Sequence, residues 1–113
     1  RKKILTEIQK KNKNLSNQLK INIIKELSKT QKLSKSISIN KARINSNEVK
    51  KNDVFFAIKG KVNDGNNFVS QSFKKKASLA IVNKIQNNLD IKRQIKVKNT
   101  LQFLTNVSTI FFP

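Results

Sequence analysis

Two short apolar runs, VFFAI at 54–58 and LAIV at 79–82, are continuous rather than alternating. A strand wet on one face alternates apolar and polar residues, whereas an unbroken β-favouring run of four or five belongs in a strand covered on both faces, as in parallel sheets. Between the runs lies a glycine turn, then Phe68, Val69, Ser72 and Phe73 at helical spacing, with Asn67 able to cap a helix that runs to about Lys76. Two strands joined by one crossover helix lie parallel. A polar stretch then leads to IKV at 95–97, a third short strand. Asn99 or Thr100 can cap a final helix carrying Leu101, Leu104, Val107 and Ile110. The expected fold is α/β: a small sheet built on a parallel βαβ element with flanking helices.

Upstream, the periodicity is helical. Leu15, Leu19, Ile23 and Leu27 recur four apart, with Ile24 widening the stripe, so residues 15–27 read as an amphipathic helix whose apolar side packs on a core. Residues 1–14 are polar, with Ile4, Leu5 and Ile8 at helical spacing, and read as a short frayed helix ahead of the domain. Residues 28–36 form a connector, after which Ile37, Ile39 and Ile44 suggest extended chain.

At 113 residues the chain has the length of one domain with a modest core. It lacks Cys and His, which excludes disulfides, thiolate metal sites and the commonest general base. No apolar run approaches a membrane span, and the N-terminus has no signal-peptide core, so a cytoplasmic setting is expected. The formal net charge is +19, yet only three of the 25 basic residues are Arg, the residue that grips phosphates and bases bidentately. The lysines are scattered along the whole chain beside an excess of Asn and Ile, three residue types that share A/T-rich codons. Genome composition explains this charge at least as well as a nucleic-acid partner does.

Both glycines lie in the loop after VFFAI, and Gly60-x-x-x-x-Gly65 has the spacing of a phosphate-binding P-loop. The lysine and hydroxyl residue that must follow are here Asn66 and Asn67, so only the spacing matches. The loop still leaves the carboxyl end of its strand, where ligands of open α/β sheets bind. Phe55, Phe56 and Phe68 sit in apolar patterns without interleaved Arg and are expected in the core rather than as base-stacking platforms.

The stretch INSNEVKKNDVFFAIKGKVNDGNNFVSQSFKKKASLAIVNK, with IKVKNTLQFL after it, resembles the N-terminal domain of the Mur ligases, which build the peptide stem of peptidoglycan. The family pattern runs Asp-Ser-Arg, a Pro-Gly-Asp turn, Phe-x-Ala-x-x-Gly, Asp-Gly-His-x-Phe, and a helix ending in Gly-Ala. Its most specific trace here is the ordered set Asp53, Phe55, Ala57, Gly60, Asp64, Gly65 and Phe68. The resemblance covers about residues 15–113 and is nearest to the member that adds D-alanyl-D-alanine, with the member that adds the third residue as runner-up. Departures are Asn45-Ser46-Asn47 for Asp-Ser-Arg, Asn52 for the turn glycine, Asn66 for the histidine and Lys76 for the helix-ending glycine. Asn tolerates a left-handed backbone, whereas Lys76 in that conformation should cost about 1 kcal/mol.

The resemblance implies that this domain holds the UDP end of a UDP-N-acetylmuramoyl-peptide precursor. It assigns Ile44 and Ser46 to the nucleotide and brings Lys61, Val62 and Asn63 close to it, with Asp64, Gly65 and Asn66 completing the candidate site. It implies no catalytic or metal-binding residue in this chain. ATP and Mg2+ would be held by central and C-terminal domains that the chain, as a fragment, lacks, so the chain alone is expected to be inactive. The expected state is a monomer with no specific nucleic acid and no membrane partner. Two alternatives stand beside it: a small basic protein that binds nucleic acid without specificity, and an interaction domain whose ligand site has decayed. Dispersed lysines supply only counterion release, so duplex DNA should bind weakly and lose most of its affinity between low and physiological salt. Fluorescence anisotropy across a salt series checks this, and a nanomolar, sequence-selective complex at about 150 mM salt would favour the nucleic-acid alternative.

Overall fold

The structure, a computed structural model, describes residues 17–29, 33 and 37–111. Helix α1 (Asn17–Ser28) is followed by extended chain and strand β1 (Ala42–Arg43). A 3-10 turn (Ser46–Glu48) leads to β2 (Val54–Phe56). A second 3-10 turn (Gly65–Phe68) runs into α2 (Val69–Lys74), and β3 (Leu79–Val82) follows. A third 3-10 turn (Ile91–Arg93) precedes β4 (Gln94–Lys96), and α3 (Thr100–Phe111) ends the described chain. The four strands stand in sequence order, β1-β2-β3-β4, and every neighbouring pair is parallel.

The unbroken apolar runs behave as their pattern requires. In β2 and β3, Val54, Phe56, Leu79 and Ile81 point to one side and pack with Ile95 against Ile21 and Ile24 of α1 and Phe103, Val107 and Ile110 of α3. Phe55, Ala57, Ala80 and Val82 point to the other side and pack against Val49, Ala77 and Val69 of α2. The register Val54↔Leu79, Phe55↔Ala80, Phe56↔Ile81 puts like-facing residues side by side. Phe56 also meets Phe111 edge to face, with ring centroids 5.9 Å apart.

Several expectations shift. The stripe on α1 is carried by Ile21 and Ile24, while Leu19 and Leu27 are exposed. A strict spacing of four drifts about 40° around a helix at each step, so such a row cannot stay on a flat sheet face. On α3 the buried set is Thr100, Phe103, Val107 and Ile110, and Leu101 lies outside, because the larger Phe103 takes the core position. Ile37 and Ile39 are buried, but the strand forms only at Ala42–Arg43 and Ile44 is exposed. Asn17 fixes the extended segment by donating from Nδ2 to the Ile37 carbonyl and accepting from the Ile39 amide. The third expected strand begins one residue early, at Gln94, whose buried amide organises the preceding loop through Gln86 and Asp90. The helix expected within 1–14 and Leu15 lie outside the described residues.

Asn52 and Lys76 both adopt left-handed backbone, at φ 68° and 73°, where the family pattern has glycine. The two turns are joined, since the Asn52 amide donates to the Lys76 carbonyl at 2.9 Å. Next to them the fully buried Asp53 accepts from the Arg43 guanidinium at 2.8 Å, the Lys50 amide at 2.8 Å and the Lys41 amide at 3.1 Å. Removing one partner of such a buried pair is costly because the other loses its match. Asp53→Ala should lower stability by about 3–5 kcal/mol in urea denaturation, and Lys76→Gly should raise it by about 1 kcal/mol.

Candidate functional site

The loops that leave the carboxyl ends of the strands form a cleft of about 410 Å³. One wall is the segment after β1, with Ile44, Ser46 and Asn47; the other is the segment after β2, with Ile58, Asn63, Gly65 and Phe68. The volume is within the range of small-ligand sites.

The first wall is held from behind. The Asn45 side chain caps the 3-10 turn by accepting from the Asn47 amide at 2.9 Å. Gln71, on α2, uses both ends of its amide: its Oε1 accepts from Ser46 Oγ at 3.0 Å and its Nε2 donates to Asn47 Oδ1 at 2.6 Å. Lys75 Nζ donates to the Asn47 carbonyl at 3.0 Å. The two asparagines in place of Asp and Arg therefore have partners of their own, and Ser46 is buried with its hydroxyl proton already directed to Gln71.

The second wall depends on Gly65. A Cβ there would stand 2.6 Å from the Ile58 nitrogen and 2.8 Å from the Ala57 carbonyl carbon, both backbone atoms that cannot move aside. Gly65 is needed because the returning loop lies flat on its own strand. The loop's amides are also engaged internally: Gly60 donates to the Asn63 carbonyl at 2.8 Å and Gly65 to the Ile58 carbonyl at 2.9 Å. A phosphate cradle needs such amides free and convergent, so this loop does not fit ATP phosphates. Among the described residues, no group of three or more acids gathers in a way that could hold a metal ion. No helix among them is long and apolar enough to cross a membrane.

Of the residues singled out in the sequence, Ile44, Ser46, Asn63 and Gly65 meet in the cleft. Lys61 and Val62 lie on the exposed loop tip, outside its lining. Asp64, half-buried, and Asn66, buried, bond within and behind the loop rather than line the cleft. The helix cap expected of Asn67 does not form, since α2 has Phe68 at its N-cap and no side-chain cap; Asp64 caps the 3-10 turn before it, accepting from the Asn66 amide at 3.0 Å and from Asn66 Nδ2 at 2.7 Å. Asn66 is buried, and its Oδ1 accepts from the Asn83 amide at 3.0 Å, which ties the turn to the end of β3. Phe68, expected in the core, is 39% exposed and lines the cleft, because the 3-10 turn rotates it off the face that Val69 and Ser72 bury. Gln71 carried no signal: it is a polar residue on the helix flank, and its role arises only when residues 24 and 25 positions away fold onto it.

No protein-family model matches the chain. Over 70 residues it is 41% identical to the UDP-N-acetylmuramoyl-L-alanyl-D-glutamate--2,6-diaminopimelate ligase of Rickettsia rickettsii, a match covering 62% of this chain and 14% of that protein. The MurF ligase of Thermotoga maritima, solved with ADP, matches with a TM-score of 0.56 at 30% identity, over 61% of this chain and 16% of that one. MurF from Acinetobacter baumannii shares the fold, with a TM-score of 0.63 at 21% identity over 77% of this chain and 19% of that one. The chain thus spans only a small part of the proteins it matches.

The cleft wall yields two measurable consequences. Gly65→Ala should cost about 1–3 kcal/mol in thermal melts, and Gly60→Ala less, since its added Cβ meets only the Asn63 carbonyl oxygen at 3.2 Å. The two hydrogen bonds from Asn66, side chain first, hold the Asp64 carboxyl below the usual aspartate value of 3.8. A lowered folded-state pKa adds stability that is complete above the unfolded value and lost as pH falls through the folded one. Wild type should therefore lose stability below about pH 4, and Asp64→Asn should flatten that acid limb in melts from pH 2 to 7. The sequence relatives are ligases that add diaminopimelate and the solved structures are MurF; what they share is the Mur ligases, to which the described domain is similar in sequence and fold.

Proposed function

We propose that this domain holds the uridine-diphosphate end of a UDP-N-acetylmuramoyl-peptide for an ATP-dependent ligase of peptidoglycan synthesis, with the nucleoside in the cleft between residues 44–47 and 63–68. The observation that carries this reading is convergence. Ile44 and Ser46, distant in sequence from Asn63 and Gly65, form opposite walls of one cleft at the carboxyl edge of a parallel sheet. Phe68 and Ile44 offer apolar surface for a base, and the Asn63 and Asn47 amides offer donors and acceptors for its edge. Lys61, exposed beside this wall, supplies charge toward the diphosphate, and Val62 shares its loop tip. Asp64 and Asn66 act indirectly by fixing the loop. ATP and Mg2+ would be held by residues outside this chain.

Titrating the chain with the UDP-linked peptide should shift the amides of Ile44, Ser46, Asn63 and Phe68 first in NMR spectra. Phe68→Ala should weaken binding by about 1–3 kcal/mol, the worth of one base stacked on an aromatic ring. Ser46→Ala should cost about 0.5–1.5 kcal/mol. Shifts confined to residues 17–29 would place the ligand elsewhere and refute the assignment.

A further inference from the structure

Gln71 stands behind the first wall of the cleft, outside its lining, on a helix that begins immediately after Phe68 of the second wall. A side-chain amide has one acceptor end and one donor end, and Gln71 commits one to each of two adjacent residues. Its Oε1 takes the single hydroxyl proton of Ser46 at 3.0 Å, which leaves the Ser46 oxygen with lone pairs alone. Its Nε2 donates to Asn47 Oδ1 at 2.6 Å, which leaves Asn47 with the NH2 end of its amide. Ser46 and Asn47 both line the cleft, so neighbouring positions of one wall carry opposite polarity, acceptor then donor. Without Gln71 neither would be set, because a hydroxyl rotates and an amide turns over.

The same cleft has no charged side chain in its lining. Ile44, Phe55, Ile58 and Phe68 give it apolar surface, and its polar side chains are Ser46 and asparagines. A phosphoryl group would find no countercharge there, whereas a flat neutral heterocycle finds apolar walls for its faces and hydrogen-bonding groups for its edge. The Asn45 side chain is spent on its own turn, accepting from the Asn47 amide, so the Ser46–Asn47 pair is the polar edge of this wall.

We propose that Gln71 is a positioning residue that sets the base preference of the cleft: through Ser46 and Asn47 it selects a ring edge with an N–H beside a carbonyl. The N–H donates to Ser46 Oγ, and the carbonyl accepts from Asn47 Nδ2. Uracil has this edge at N3 and O4; cytosine carries the reverse polarity at the same two positions. The proposal rests on the nucleoside reading above and adds to it the residue, outside the cleft, that decides which base fits.

Amide NMR titrations of the whole chain at about 150 mM salt, with uridine, cytidine, 3-methyluridine and 2′-deoxyuridine as probes, follow Ile44, Asn63 and Phe68. Wild type should bind uridine about tenfold more tightly than cytidine or 3-methyluridine, the worth of one hydrogen bond, and 2′-deoxyuridine like uridine. Gln71→Leu should weaken uridine binding about tenfold and bring uridine and cytidine level. A merely structural role would weaken both nucleosides alike and keep their ratio. Gln71→Glu, of the same shape, still accepts from Ser46 but obliges Asn47 to turn its NH2 inward, so it too should level the two nucleosides, with a Tm near that of wild type. In a Ser46→Ala, Asn47→Ala background, Gln71→Leu should change uridine binding by less than about twofold, since the residues through which it acts are gone. Equal binding of uridine and cytidine by wild type, or a uridine preference that survives both Gln71 variants, would overturn the proposal while leaving the nucleoside in the cleft. A greater loss from 2′-deoxyuridine than from 3-methyluridine would put the ribose on this wall and overturn it as well. If no nucleoside moves Ile44, Asn63 or Phe68, the nucleoside reading itself is refuted and the proposal falls with it.

Discussion

The carboxylate of Asp53 is the point on which the geometry of this domain depends. It is fully buried at the start of β2, yet it accepts from the Arg43 side chain in β1, from the Lys41 amide before β1 and from the Lys50 amide in the preceding turn. A two-residue strand such as β1 offers too few ladder hydrogen bonds to fix its own position. The ion pair supplies what the ladder lacks, in a place shielded from water where charge-assisted hydrogen bonds are strong. Since β1 leads directly into Ile44 and Ser46, the position of one cleft wall follows from a carboxylate at the opposite end of the strands.

The other wall is fixed by close packing rather than charge. Gly65 rests on the backbone of Ala57 and Ile58, Asp64 caps the turn, and Asn66 reaches to Asn83 at the end of β3. Asn83 in turn holds the carbonyls of Val97 and Lys98 after β4. A chain of asparagine contacts therefore links the exits of three successive strands, and the cleft opens along this linked edge.

The parallel sheet was legible in the sequence because VFFAI and LAIV are apolar without alternation, a pattern with few other solutions. The left-handed turns at Asn52 and Lys76 were legible as well, because the family pattern has glycine at both. Helix faces were harder to read. Leu19, Leu27 and Leu101 satisfied a spacing rule but lost the core to Ile21, Ile24 and Phe103, because the flat sheet selects a face only when the chain has folded. Half of the candidate site residues converge in the cleft, whereas Phe68 and Gln71 became visible only in three dimensions. The orientation of Phe68 depends on a 3-10 turn that no periodicity marks, and the contacts of Gln71 depend on long-range closure.

The shortness of the outer strands has a consequence for how copies of the chain behave toward one another. An open sheet ends in rows of unpaired amides and carbonyls that can recruit a strand from another molecule. Here the two borders are β1, of two residues, and β4, of three, and they carry Arg43 and Lys96. Each border offers a stranger only a foothold, and any approaching copy carries the same strong positive charge. Lysines away from the cleft thus help to keep a marginally edged sheet from growing by addition, a colloidal benefit that weakens as salt screens the repulsion.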